Sequence, residues 1–172
     1  VPSSLLKRAR QHVIRGDSAA GWRDLQTART LAREVDVDLA GRREIVAILL
    51  ADAESHVDTG HTGRALAIID DLERHGILDE AVRQVRELAR RLDSATHLAR
   101  RGKFGEAADQ LETALEFRPE LPILQRKLAE YREKQTLARG LAERLHAAMA
   151  AKTWTDAVAL ADQLLELAPE HR

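Results

Sequence analysis

The sequence predicts an all-α protein in which eight helices pair as four antiparallel hairpins in a right-handed α-solenoid. Apolar residues recur with helical periodicity along nearly the whole chain, and strand-like alternation never persists for more than a few residues. Short polar turns interrupt the helical segments at regular intervals. The residue sizes around these turns repeat from one hairpin to the next, and internal repeats of this length are typical of solenoids.

Four short turns and three longer breaks define the helices. The turns lie at 16–18, 59–62, 102–103 and 152–153, and their length and polarity are those of connections between antiparallel helices. The breaks lie at 35–38, 75–79 and 118–122, and the last contains two prolines, which stop one helix and start the next. The predicted helices are 3–15 with 18–34, 38–59 with 62–75, 79–101 with 104–117, and 121–151 with 154–167. We therefore expect one repeat domain over residues 1–172, with hairpins at about 3–34, 38–75, 79–117 and 121–167.

Small residues recur at equivalent places in the second helix of each hairpin. They are Gly21, Ala65, Ala107 and Ala157, at separations of 44, 42 and 50 residues. Twelve residues before them, in the first helices, lie Ala9, Ala53, Ala95 and Leu145. Small residues on both helices let the two backbones approach closely, so we expect Ala107 at the closest approach of its hairpin.

The last two hairpins resemble a known repeat family. The residues that carry the resemblance are Gly102, Phe104, Ala107, Leu111, Ala114 and Pro119, then Trp154, Ala157, Ala161, Leu164 and Pro169. They are similar to the second half of a tetratricopeptide repeat (TPR). The first helices of the later hairpins are longer than the family period of about 34 residues requires, and aromatic residues make up 3% of the chain. The resemblance to a divergent, long-helix TPR-like family implies a protein-binding module rather than an enzyme.

Composition and charge exclude several classes of partner. Lys and Arg number 27 against 28 for Asp and Glu, so a net charge of -1 gives no general electrostatic reason to bind nucleic acid or anionic lipid. The longest apolar run, 45–51, is far shorter than the roughly 20 residues that cross a bilayer. We expect neither a nucleic acid nor a membrane as partner. The absence of cysteine is compatible with a cytoplasmic location, and the excess of arginine over lysine suits a GC-rich bacterial genome.

The groups that could carry chemistry do not predict an enzyme. Asp52 and His56, like Asp93 and His97, are spaced i,i+4 on predicted helices, and with His61 across the turn a weak carboxylate–imidazole metal cluster can be drawn. Both pairs lie where the repeat already places hairpin-filling residues, so we interpret them as packed, hydrogen-bonded histidines. No glycine-rich phosphate loop and no G-x-S-x-G nucleophile motif is present. We predict no catalytic residue, no metal and no cofactor.

The concave face carries the most specific functional prediction, because in solenoids of this family the first helix of each hairpin lines it. The predicted partner-binding positions are Leu6, Arg10, Val13, Leu50, Glu54, Val57, Leu92, Thr96 and Arg100. An apolar row flanked by charges suits a peptide or amphipathic helix of a protein partner, which makes the chain an interaction or scaffold module. The same row equally suits stacking on a neighbour, so a structural or regulatory segment packed against a signalling or catalytic domain outside this sequence is the alternative.

Two further surfaces are candidates for binding, and the chain ends indicate a fragment. Arginine pairs at 42–43, 90–91 and 100–101 would form a basic strip for an acidic peptide or phosphate, or a solvated surface among acidic neighbours. The long helix at 121–151 would run roughly 45 Å and expose part of its apolar side, unless the preceding hairpin, a second copy or the rest of the protein covers it. Self-association through this helix is therefore a predicted interaction. Val at position 1 and a final segment that directly follows a helix predict a piece of a longer protein.

Overall fold

The computed structural model describes residues 2–31 and 35–170. Within these residues all regular secondary structure is α-helical, which confirms the predicted all-α class. The helices are α1 (Pro2–Ile14), α2 (Ser18–Leu31), α3 (Val35–Asp58), α4 (Thr62–Arg74), α5 (Glu80–Arg100), α6 (Phe104–Phe117), α7 (Pro122–Ala150) and α8 (Trp154–Leu167).

The observed helix ends lie within three residues of the predicted ones wherever the chain is described. The predicted break at 35–38 is wrong, because α3 already begins at Val35. That segment contains neither glycine nor proline, so nothing in it stops a helix. The predicted end of the second helix, at 32–34, lies outside the described residues.

The described ends of α1, α4, α5 and α7 share one hydrogen-bonded turn. At the end of α5 the Gly102 N–H donates to the carbonyl oxygen of Ala99 at 3.0 Å, and the Lys103 N–H donates to that of Leu98 at 2.9 Å. This pair of bonds is a Schellman motif, which requires a residue with positive φ, and Gly102 has φ 78°. Equivalent bonds close α1, α4 and α7, the last with Lys152 at φ 59° in place of glycine. These turns explain why polar breaks in the sequence located the helix ends so closely.

The chain divides into two compact units. Unit 1 comprises Val1–Val57 and Gly63–Glu87, and unit 2 comprises Asp58–Thr62 and Leu88–Arg172. In unit 1, α1 packs along α2, and α3 lies against both. A Cβ added to Gly41 of α3 would lie 2.5 Å from a methyl carbon of Leu6 and 3.0 Å from one of Leu25, so the missing side chain permits this approach. In unit 2, α7 packs against both α6 and α8.

The small residues aligned in the sequence are buried. They are Gly21, Ala65, Ala107 and Ala157 on the second helices, and Ala9, Ala53 and Ala95 on the first. A Cβ added to Gly21 would lie 3.1 Å from the Ala9 carbonyl oxygen and 2.5 Å from a methyl carbon of Val13. The predicted close approach of the two helices is therefore confirmed for the first hairpin.

Candidate binding surface

Three of the nine predicted binding positions are not on the surface. Val13, Val57 and Leu92 are buried, so the prediction that they line an exposed groove is wrong. Each lies three or four residues from a buried alanine of its own helix and therefore shares that alanine's inward face. A partner cannot contact these side chains while the helices remain packed.

The other six positions are partly buried or exposed, and several already have contacts within the chain. The four partly buried ones are Leu6, Leu50, Glu54 and Thr96. Leu6 packs against Gly41, and the Thr96 hydroxyl donates to the Leu92 carbonyl oxygen at 2.9 Å. Partner binding at these positions stays a prediction.

The two exposed arginines of the predicted set each lie beside a glutamate. Arg10 forms a 2.9 Å ion pair with Glu44 of α3, ten residues before Glu54 and about 15 Å from it along the helix axis. Arg10 and Glu54 therefore do not lie side by side, although the repeat alignment made them equivalent. The Arg100 guanidinium lies 4.0 Å from the Glu170 carboxylate, and the Arg100 carbonyl oxygen accepts the Glu170 N–H at 3.2 Å. Both arginines are partly engaged inside the chain.

The i,i+4 histidine pairs form local contacts. His56 lies 3.8 Å from Asp52, and His97 lies 3.5 Å from the Asp93 carboxylate. Asp93 also accepts the Thr62 hydroxyl at 2.8 Å, and both residues belong to unit 2. Among the residues that the structure describes, no group of three His, Cys, Asp or Glu is arranged to hold a metal ion.

A cleft between α2, α3 and α4 of unit 1 was not predicted from the sequence. Its volume is about 430 Å³. The charged groups among its described lining residues are four arginines and one carboxylate, namely Arg23, Arg29, Arg42, Arg74 and Asp71. We call this feature the arginine cleft.

On one side of the arginine cleft, Asp71 contacts both Trp22 and Arg74. The Trp22 indole N–H donates to one carboxylate oxygen of Asp71 at 3.2 Å, and Arg74 lies 3.1 Å from the other. The His75 ring stacks on the indole with centroids 4.2 Å apart and planes inclined by 8°. The Nδ1 atom of His75 lies 2.9 Å from the Asp71 carbonyl oxygen, which can only accept, so this nitrogen carries the proton. Trp22 and Asp71 are both buried, and their bond fixes α2 against α4.

Arg42 and Arg23 contribute positive charge to the cleft. Arg42 donates to the His75 carbonyl oxygen at 2.7 Å, and Arg23 donates to the Ala19 carbonyl oxygen at 3.3 Å. Carbonyl oxygens carry no net charge, so these bonds leave the guanidinium charge in place. Guanidinium groups match carboxylate and phosphate geometry with paired hydrogen bonds. The arrangement is therefore suited to holding an anionic group.

This site could not be predicted from the sequence, because the residues that form it are far apart in the chain. Trp22 is separated from Asp71 by 49 residues, and the repeat alignment does not pair the two. One feature of the sequence does indicate part of it. Trp22 directly follows Gly21, which lies at a predicted helix contact, so Trp22 can be expected to be buried and to need an acceptor for its indole N–H. Arg42 belongs to one of the arginine pairs of the predicted basic strip, and it lines the cleft.

Comparison of the chain with models of protein families, with curated proteins and with solved structures gave no match. None of the helices in the described part of the chain has the length and apolar character needed to cross a membrane. The TPR-like resemblance thus rests on the repeat residues, and it stays a prediction. The class defined by the fold and the site is an all-α protein with an arginine-lined cleft.

Proposed function

We propose that this chain is a non-catalytic protein interaction module that binds an acidic segment of a partner protein in the arginine cleft. The observation that carries the proposal is that the described lining residues of the cleft include four arginines and one carboxylate, Asp71, which Trp22 and Arg74 already engage. This site replaces the concave face of the first helices as the preferred location of the partner.

The spacing along α2 favours a peptide segment over a small anion. Arg23, Gln26 and Arg29 line the cleft at three-residue intervals and are exposed, so they span about 9 Å of the helix axis. A single phosphate or carboxylate contacts one end of such a row. Two carboxylates of an acidic segment, one helical turn or more apart, contact both ends.

The experiment starts from peptides selected against the intact chain from a random displayed library, followed by calorimetry at fixed salt. We expect the selected peptides to be rich in Asp and Glu. The double variant Arg23→Glu with Arg29→Glu should weaken their binding roughly tenfold or more, because it replaces attraction by repulsion. The matched control is Arg83→Glu with Arg139→Glu, which makes the same charge change at exposed positions outside the cleft.

Two results would overturn the assignment. Selected peptides without acidic residues would remove the electrostatic argument. A loss of binding with Arg10→Glu and Arg100→Glu, but not with the cleft variant, would return the partner to the first helices.

We also propose that the four hairpins stack as a TPR-like α-solenoid in a cytoplasmic protein. The support is local: within unit 1, α3 packs against α1 and α2, as successive hairpins of a solenoid do. Small-angle scattering of the intact chain tests it, since an extended stack and a rounded bundle of this size differ in radius of gyration.

The alternative function, a segment packed against another domain, is favoured by the exposed Trp154 and Val158 of α8. Limited proteolysis of this chain, alone and together with a candidate partner domain, compares the two states. A contact that covers α8 should slow cleavage near these residues when that domain is present.

A further inference from the structure

Helix α8 exposes a continuous apolar row that its own hairpin does not use. The row, which we call the outer face of α8, consists of Trp154, Val158, Ala161 and Leu165, spaced by three or four residues. Trp154 and Val158 are 62% and 61% exposed, and Leu165 is 51% exposed. The hairpin core instead contains Ala157, Leu160 and Leu164, packed with residues of α7.

The equivalent row of α6 is covered. In the repeat alignment, which shifts α6 onto α8 by 50 residues, the outer face of α8 corresponds to Phe104, Ala108, Leu111 and Leu115. Phe104 is 3% exposed, Ala108 and Leu111 are also buried, and Leu115 is partly buried. Helix α6 packs against α7, the first helix of the following hairpin, and a Cβ added to Gly105, next to Phe104, would lie 2.8 Å from the Gln135 side-chain nitrogen of α7. An amphipathic helix therefore lies directly beside the buried row of α6.

The charged residues of α6, α7 and α8 also indicate a basic partner helix. Helices α6 and α8 contain four and three acidic residues and no lysine or arginine, whereas α7 has twice as many basic as acidic residues. Arg132 of α7 pairs with Glu112 of α6, beside the covered row. The residue of α8 equivalent to Glu112 is Asp162, which is exposed. A helix that covers α8 as α7 covers α6 would place a basic residue opposite Asp162.

We propose that the outer face of α8 binds a basic amphipathic α-helix supplied from outside this chain, with the chemistry of α7. Its apolar stripe would cover Trp154 and Val158, and an arginine would pair with Asp162. A second copy of α8 is the wrong partner, because two such helices would bring acidic residues together without a single basic one. This surface lies in unit 2 and is independent of the proposed function of the arginine cleft.

The probe is a labelled synthetic peptide that copies residues 122–139 of α7, titrated into the intact chain and followed by fluorescence anisotropy. We expect saturable binding that Val158→Glu weakens about tenfold or more, because a charge replaces an apolar contact. The control is Ala159→Glu, which adds the same charge at the next residue of α8, also exposed but outside the row.

A charge exchange tests the pairing itself. Asp162→Arg in the chain should weaken binding of the native peptide, and a peptide with glutamate at the position of Arg132 should recover affinity for that variant alone. Equal binding of the native peptide by wild type and Val158→Glu would overturn the proposal. So would sedimentation that shows a dimer of the wild type lost in Val158→Glu, since a second copy would then be the occupant.

Discussion

Gly21 lies where α1 and α2 approach each other, and its missing side chain makes room for that approach. An added Cβ would lie 2.5 Å from a methyl carbon of Val13 and 3.1 Å from a main-chain oxygen of α1. Valine has a stiff side chain in a helix, and the main-chain oxygen cannot move without shifting α1. One methyl group is therefore enough to separate the two helices.

Gly21→Ala should lower the free energy of unfolding by about 1 to 2 kcal/mol, because overpacking outweighs the better helix propensity of alanine. Gly140→Ala in α7 is the matched control, since nothing lies within 4 Å of its added Cβ. It should raise the free energy of unfolding by about 0.5 to 1 kcal/mol. Urea denaturation measures both. Stabilisation by both substitutions would mean that α1 and α2 are further apart than described.

Because of the ion pair between Arg8 and Asp24, we expect the free energy of unfolding to depend on pH. Both carboxylate oxygens of Asp24 accept hydrogen bonds from Arg8 at 2.6 Å, and these bonds lower the pKa of Asp24. Because the folded-state pKa lies below the unfolded value of about 3.9, the stabilisation is fully present above that pH. It is lost as the pH falls through the folded pKa.

Arg8→Ala should therefore destabilise the protein at pH 7, and the difference from wild type should shrink as the pH falls below about 4. An NMR titration of the Asp24 carboxyl carbon should show a higher pKa in the variant. Arg139→Ala, which breaks a pair exposed on both sides, is the control. An unchanged Asp24 titration would mean that the Arg8 pair does not form in solution.

At the scale of the helices, α6 and α8 place aromatic residues at one repeat position in two different environments. Phe104 of α6 is buried and Trp154 of α8 is mostly exposed. The two residues are equivalent in the repeat alignment, so the sequence alone predicts the same environment for both. A helix follows α6 and packs against it, namely α7, whereas the described chain ends three residues after α8.

Phe104→Ala should cost about 3 to 4 kcal/mol in unfolding free energy, because it removes a buried ring and leaves a cavity. Trp154→Ala should change it by less than about 1 kcal/mol, since the indole is mostly solvated. Thermal unfolding of the two variants distinguishes these outcomes. A comparable loss for both would show that Trp154 is buried in solution, most directly by another copy of the chain.

The helices could be predicted because their ends depend on neighbouring residues. Gly102 and Pro122 act through local backbone geometry, so reading the sequence placed these ends within one residue. The arginine cleft depends on Trp22 meeting Asp71, which requires knowing how two hairpins pack. The prediction that Val57 is exposed was wrong because it also depends on how the helices pack. Successive residues of a helix point about 100° apart, so a small error in the predicted orientation of α3 places a buried residue on the exposed side.

At the scale of the whole molecule, the net charge is close to zero, but basic and acidic residues lie in different regions. The net charge is -1, yet basic groups concentrate around the arginine cleft and on α7, and acidic groups on α6 and α8. Weak net charge gives little long-range attraction. Recognition of charged partners must then depend on contacts at these separate surfaces, and a charge reversal at one surface should leave binding at the other unchanged.

Removal of residues 121–172 tests how stability is distributed along the chain. The fragment 1–120 keeps every residue of unit 1, namely 1–57 and 63–87, and loses α7 and α8. Since α6 would lose α7, the side of α6 that includes Gly105 and Glu112 would become accessible to water. We expect hydrogen exchange to stay slow in the amides of α1, α2 and α3, and to accelerate throughout α6. The full chain under identical conditions is the reference. Fast exchange across α1 to α3 in the fragment would show that these helices also need α7 to remain folded. It would contradict a stack in which each hairpin is stabilised only by its neighbours.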